Sequence, residues 1–157
     1  MKKHYKYLKR AIELAQSGME SGDGGPFGVV IVKGDVIIAE GHNCVLKSND
    51  PTAHAEVVAI RKACAVLQSY QLENCIIYSS CEPCPMCLGA IYWARPEAVY
   101  YVSTRKDAAR GEFDDEFIYN EIAMPTKDRS IPFTHLPIKN ADVLFTQWLN
   151  KSDRKSY

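Results

Sequence analysis

The hydrophobic positions of this chain change period several times along its length. Apolar side chains recur at Tyr5, Leu8, Ile12, Ala15 and Met19, the spacing of one helix face. That run ends in a glycine-rich break over residues 18–25. Phe27-Gly28-Val29-Val30-Ile31-Val32, a turn at Lys33-Gly34-Asp35, and Val36-Ile37-Ile38-Ala39-Glu40 predict a β-hairpin. Residues 43–50 read as a polar loop. Asp50-Pro51-Thr52 is a helix-start signal, because proline suits the first turn and Asp or Thr can cap it. It predicts a helix through His54, Val58, Arg61 and Ala65. Cys75-Ile76-Ile77-Tyr78 predicts a short buried strand. Pro83-Cys84-Pro85 opens a helix that reaches about Ala94 before Arg95-Pro96 stops it, and Ala98-Val99-Tyr100-Tyr101-Val102 predicts another strand. Helix–strand alternation after a hairpin implies an α/β sandwich with a mixed sheet. Beyond Val102 the pattern weakens. Residues 117–123 suit a short helix, and Pro125, Pro132 and Pro137 interrupt the next stretch. Helical spacing returns at Val143, Phe145 and Trp148-Leu149 before a polar tail over residues 151–157.

Length and charge narrow this picture. A chain of 157 residues predicts one domain, large enough for a core without staples. The formal net charge is +0, from 19 basic and 19 acidic residues, so nothing calls for a polyanionic partner. Lys2-Lys3-His4-Tyr5-Lys6 with Lys9 and Arg10 reads as the wet face of a helix. No apolar run has membrane-spanning length and no secretory signal opens the chain, so the expectation is a cytoplasmic location with reduced thiols. Of six cysteines, Cys44, Cys64 and Cys75 stand alone and read as small core hydrophobes. Cys81, Cys84 and Cys87 follow one another at intervals of three, a spacing that does not suit disulfides on a helix.

Cys84 and Cys87 share one face of the predicted helix, at whose N-terminus orphan N–H groups favour thiolate. Two thiolates on one face are half of a tetrahedral zinc site. His54, near the start of the preceding helix, is the candidate third ligand, since parallel strands bring such helix starts to one sheet edge. Glu56 lies two residues further on, a poor spacing for co-ligation but close enough for proton transfer. Three protein ligands, a neighbouring carboxylate and a fourth position left to water describe a catalytic zinc site. Each residue alone has an ordinary reading: a satisfied histidine, a first-turn carboxylate, a redox Cys-x-x-Cys pair. A closed structural site of His54 with Cys81, Cys84 and Cys87 is the rival arrangement, although Cys81 precedes Pro83 and need not share the helix face. Together, His-Ala-Glu followed by Pro-Cys-Pro-Met-Cys reproduces the H-x-E…P-C-x-x-C pattern of zinc nucleobase deaminases.

At these residues the chain resembles the cytidine/deoxycytidylate deaminase superfamily, and within it the bacterial guanine-deaminating branch. The resemblance runs through Gly24-Gly25-Pro26-Phe27-Gly28, Ser48-Asn49-Asp50-Pro51-Thr52-Ala53-His54-Ala55-Glu56, and Cys84 to Pro96. It continues in Phe113-Asp114-Asp115 and Phe117-Ile118-Tyr119. It implies a three-layer α-β-α sandwich around a mixed five-stranded sheet in the order 2-1-3-4-5. It also implies a homodimer that exchanges its C-terminal segment, from about residue 125 to 157. By the same resemblance His54, Cys84 and Cys87 hold one Zn2+ per chain, and Glu56 shuttles protons. Asn43, Phe27, Ala55 and Asp115 contact the purine, as does Tyr157 of the exchanged tail. The implied reaction is hydrolysis of guanine to xanthine and ammonia. Related aminopurine, guanosine or aminotriazine deaminases share the zinc set, as does a tRNA adenosine deaminase. The balanced charge argues against an RNA substrate. A pocket closed by Tyr157 leaves little room for ribose. A non-enzymatic zinc fold needs the closed four-ligand site.

Overall fold

The computed structural model describes residues 2–157. In chain order its elements are α1 (Lys2–Glu20), β1 (Gly28–Lys33), β2 (Val36–His42), a short α2 (Val45–Ser48), α3 (Ala55–Leu67) and β3 (Cys75–Cys81). They continue as α4 (Pro85–Ala94), β4 (Ala98–Ser103), α5 (Arg105–Arg110), α6 (Glu116–Ala123), a 3-10 turn (Thr126–Asp128) and α7 (Val143–Asn150). The chain divides into two compact units, Met1–Glu116 and Phe117–Tyr157.

The first unit is a three-layer α/β sandwich. The alternation of side chains along β1 explains the layers. Val29 and Ile31 face one way, into a cluster with Ala55, Ala59 and Ala63 of α3 and Ile91 and Ala94 of α4. Val30 and Val32 face the other way, against Tyr7 and Ala11 of α1 and Tyr78 of β3. A strand buried on both faces must be apolar at every position, hence the unbroken run from Val29 to Val32.

The α1 face differs from the one its large apolar residues predict. Of the expected face, Ala15 is buried and Leu8 packs against the core, but Tyr5, Ile12 and Met19 are exposed, and Tyr7, Ala11 and Gly18 are buried instead. The reason is proximity: a methyl group at Gly28 would come within 2.2 Å of the Ala11 carbonyl oxygen. A helix packed that close to the sheet needs small side chains at the contact. Lys2, Lys3, Lys6 and Lys9 are exposed as expected, whereas His4, whose Nδ1 lies 2.9 Å from the buried Tyr78 hydroxyl, and Arg10, which bonds the Glu40 carboxylate, are half-buried.

The sheet order among the described residues is β2-β1-β3-β4, four strands, which corrects the expected five in the order 2-1-3-4-5. β1 pairs antiparallel with β2 and β3, and β3 pairs parallel with β4. Past β4 the chain turns helical instead of extending. Thr104 and Asp107 form a capping box, with Thr104 N–H donating to Asp107 Oδ2 at 2.7 Å and Asp107 N–H donating to Thr104 Oγ1 at 3.3 Å. Residues 43–50, expected as loop, contain α2.

This topology directs the chemistry to one sheet edge. Because β1 is antiparallel to both neighbours, β2, β3 and β4 all run the same way and end on the same edge, where β1 begins. Phe27 therefore enters β1, Asn43 leaves β2, Cys84 follows β3 and residues 104–115 follow β4, all at that edge, where open α/β sheets place their sites.

The second unit contains most of α6, the 3-10 turn and α7. The Arg129 guanidinium donates to the Glu121 carbonyl at 3.0 Å, and Ser130 N–H donates to the Glu121 carboxylate at 2.9 Å. No helix among the described residues is long and apolar enough to cross a membrane.

Candidate active site

Two helix N-termini meet at the active edge. The expected helix start at Pro51 is displaced to Ala55, because Asp50 Oδ1 accepts from both Thr52 N–H at 2.8 Å and Thr52 Oγ1 at 2.7 Å, closing a turn before the helix. His54 is thus the N-cap of α3, and Cys84 is likewise the N-cap of α4, with extended backbone at both positions. Neither lies within a helix, so the face arithmetic of the sequence does not apply to them. Each sits where a side chain turns back across the first turn. Cys87, at the third helical position of α4, is what Cys84 meets there.

His54 Nδ1 lies 3.5 Å from Cys84 Sγ and 3.5 Å from Cys87 Sγ. A tetrahedral zinc ion with Zn–S of about 2.3 Å and Zn–N of about 2.1 Å sets a sulfur–nitrogen edge of about 3.6 Å. The donor set and its spacing therefore fit zinc. Hydrogen bonding from Cys87 holds Cys84 as a thiolate, drawing its pKa down to about 4 against burial, with His54 assisting. The Cys87 thiol is pushed up by the Cys84 sulfur and by burial. A divalent cation among the three would displace that remaining proton.

Glu56 is buried at the second position of α3, and its Oε2 lies 3.3 Å from Cys87 Sγ. Burial pushes its carboxyl above the usual range. It borders the ligand group without belonging to it. Cys81 is also outside the group: its thiol donates to the Thr104 carbonyl at 3.7 Å, and burial pushes its pKa up to about 11. The closed four-ligand site loses its fourth ligand. All six cysteines are free.

The remaining candidates fall into three groups. Asn43 is buried beside the site; its N–H donates to the Phe27 carbonyl at 3.0 Å, and its Oδ1 accepts from Val45 N–H at 3.1 Å. That bond assigns the amide, so Nδ2 is the end left for a ligand. Phe27 is partly embedded in the α3–α4 core and meets Phe113 edge to face, with ring centroids 5.0 Å apart. Asp115 is half-buried, and burial, then the Cys84 charge, pushes its carboxyl up. Ala55 has its side chain wholly in the core, so only its backbone can face a substrate. Tyr157 is exposed at the end of the second unit.

Sequence reasoning misses two contributors. Phe113 lies inside the Phe-Asp-Asp segment, but nothing in the chain alone gives it a role. Gly24 lies in what reads as a simple break, yet a methyl group there would fall 2.0 Å from Asn43 Oδ1. A second group of ligand-type side chains, Asp23, His42 and Cys44, gathers near Asn43. Its carboxylate is already bonded to His42 Nε2 at 2.7 Å and Lys47 Nζ at 2.9 Å, and the Cys44 thiol donates to the His42 carbonyl at 3.4 Å. The Lys47 ammonium already neutralises the carboxylate that a second metal ion would draw on.

Residues 1–103 match the family described as the cytidine and deoxycytidylate deaminase zinc-binding region. The chain is 58% identical over 154 residues to guanine deaminase of Bacillus subtilis, covering 98% of this chain and 99% of that protein. It superposes on an X-ray structure of guanine deaminase from Bacillus subtilis with a TM-score of 0.96, covering 98% of each chain at 58% identity. It is 35% identical to the tRNA-specific adenosine deaminase of Aquifex aeolicus, over 96% of both chains.

Proposed function

The chain belongs to the cytidine and deoxycytidylate deaminase family, and from that premise we propose how its residues carry out the zinc-dependent hydrolysis of guanine to xanthine and ammonia. The observation that carries the assignment of roles is the convergence of Cys84 Sγ and Cys87 Sγ on His54 Nδ1 at 3.5 Å each, with a buried carboxylate beside them. His54 Nδ1 and the two sulfurs hold the metal. Zinc, when bound, supplies the acidity that makes a water molecule nucleophilic near neutral pH. Glu56 takes a proton from that water as its oxygen adds to C2 of the purine, and passes it to the adjacent ring nitrogen. It then delivers the second proton to the departing amine, which leaves as ammonia. Its burial supports this role, because desolvation favours the protonated carboxyl and so eases both the uptake and the return of a proton.

Recognition falls to the groups at the same sheet edge. Asn43 Nδ2 donates to a purine acceptor, since its Oδ1 is committed to Val45. The Phe27–Phe113 pair offers an aromatic wall to the ring, and Asp115 accepts from the N–H edge of guanine. Adenine has no ring N–H at N1 and leaves that carboxylate unpaired, a mismatch that hydrogen-bonding sites reject strongly. We expect guanine to outpace adenine and cytosine, measured as ammonia release, by ~10³-fold or more in kcat/KM. Asp115→Ala should reduce guanine turnover most. Comparable rates on guanine and cytosine would overturn the substrate assignment. An anticodon-loop RNA in the same panel tests the tRNA reading, which the balanced charge disfavours.

The second unit is assigned to a homodimer in which the C-terminal segment is exchanged and Tyr157 completes the partner's site. The support is exposure. None of residues 117–157 is buried, and Leu136, Ile138, Leu144 and Phe145 are 70–77% exposed. So much unburied apolar surface calls for a partner. Removing Ser156 and Tyr157 should leave a folded, zinc-loaded protein with sharply reduced guanine turnover. Mixing this truncated chain with Glu56→Gln chains should restore activity, because one site of the mixed dimer joins an intact Glu56 to an intact donated tail. With subunit exchange confirmed by a tag, failure to restore activity would show that each tail serves its own subunit.

A further inference from the structure

Asp23 binds three things at once. Its carboxylate, largely buried, accepts from His42 Nε2 at 2.7 Å and from Lys47 Nζ at 2.9 Å. Its backbone carbonyl accepts from Leu46 N–H at 3.1 Å and Lys47 N–H at 3.1 Å, two donors in the first turn of α2. Those partners flank Asn43 on both sides. His42 is the residue before it, and α2 begins two residues after it, where Val45 N–H holds its Oδ1. The residue next to Asp23 completes the enclosure, since Gly24 presses against the Asn43 amide so closely that no side chain fits. The His42 ring is fixed on its other side by Gly18, where a methyl group would come within 2.6 Å of a ring carbon.

A one-turn helix has little stability of its own. α2 has no side-chain cap from its own N-cap residue, Cys44. Its first turn is satisfied instead from a distant segment, through Asp23. The whole arrangement converges on the orientation of one amide.

We infer that Asp23 is a positioning residue for substrate recognition. Through His42 on one side and the first turn of α2 on the other, it holds the Asn43 amide with Oδ1 inward and Nδ2 toward the purine. The inference rests on the reading of Asn43 as a substrate contact. The Asp23 carboxylate bonds His42 and Lys47 and none of His54, Cys84 and Cys87, so its loss should leave metal binding intact. Hydrogen-bond partners that orient metal ligands typically contribute ten- to a hundred-fold, and by the same orienting logic about ten-fold in KM for guanine is expected of Asp23→Asn.

The test is a double-mutant cycle in the zinc-loaded enzyme, with kcat and KM for guanine measured for Asp23→Asn, Asn43→Ala and the double variant. Asp23→Asn should raise KM about ten-fold in the wild-type background and by less than about two-fold in the Asn43→Ala background. Equal fold-changes in both backgrounds would mean a general structural role and overturn the inference. If Asn43→Ala itself leaves KM unchanged, the reading of Asn43 fails first, and the positioning role falls with it. Should Asp23→Asn not fold, His42 carries the same test. His42→Gln keeps a donor for Asp23 and should behave like the wild type, whereas His42→Phe keeps a ring under Gly18 without the donor and should raise KM as Asp23→Asn would. Identical behaviour of the two His42 variants would overturn the inference.

Discussion

Glu56→Gln should bind zinc and guanine normally and lose turnover by ~10⁴-fold or more. A general acid–base group typically contributes ~10²–10⁴-fold, and Glu56 lies at the upper end because it handles more than one proton in the cycle. The substitution is close to isosteric, which matters at a site so buried. The Gln amide can still meet the Cys87 sulfur from the position where Oε2 now lies 3.3 Å away. Packing and ligand geometry are therefore retained while the capacity to accept a proton is removed. Elemental analysis should find as much zinc as in the wild type, and a binding titration with guanine should be little changed. Turnover within about ten-fold of the wild type would remove Glu56 from the proton path.

Cys84→Ser should lose its zinc and its activity together, while Cys81→Ser keeps both. Cys84 is the ionised partner of the pair, held as a thiolate before any metal arrives. A serine hydroxyl at that N-cap is a far poorer zinc ligand and remains protonated near neutrality. Three protein ligands leave no spare, so zinc should fall well below one ion per chain. Cys81, three residues earlier in sequence, faces the Thr104 carbonyl instead, and serine can make that hydrogen bond. The contrast separates an open site from a closed one. Zinc loss from Cys81→Ser, with Cys84→Ser still loaded, would invert the ligand assignment. Thermal unfolding of the same proteins supplies a second readout, because zinc that binds only the folded chain raises its melting temperature and its loss removes that increment.

The candidate ligands and the candidate proton shuttle are legible in the sequence because their chemistry is local. A histidine, a glutamate two residues later and a cysteine pair opened by proline each stand at a helix start that the chain marks with its own turn and proline residues. Short-range geometry at such a start depends little on the rest of the fold. The spacing therefore survives even though His54 and Cys84 are N-caps and α3 starts at Ala55 rather than Pro51. The hairpin, β3, β4, α4 and the approximate positions of α6 and α7 are legible for the same reason: their periods and terminators are written within them.

Features that depend on distance and on neighbours escape the sequence. Tyr5, Ile12 and Met19 of α1 point to the wrong face, because the close approach to Gly28 of β1 selects small residues at Ala11 and Ala15. Ala11 and Ala15 are buried, and Ile12 is exposed. The fifth strand implied by the resemblance is absent among the described residues, and past β4 the chain forms α5, opened by the Thr104–Asp107 capping box. Asp23 and Gly24 look like parts of a flexible break until folding brings residues about twenty positions away against them. A hydrogen bond between distant segments leaves no period and no spacing in a single chain. The sequence by itself picked out His54, Cys84 and Cys87 as candidate zinc ligands and Glu56 as the candidate proton carrier, from residue type and short spacing. The tertiary structure alone decided which end of the Asn43 amide is already bonded, that Cys81 lies outside the ligand group and that His54 offers Nδ1, because each depends on the direction in which the folded chain holds a side chain.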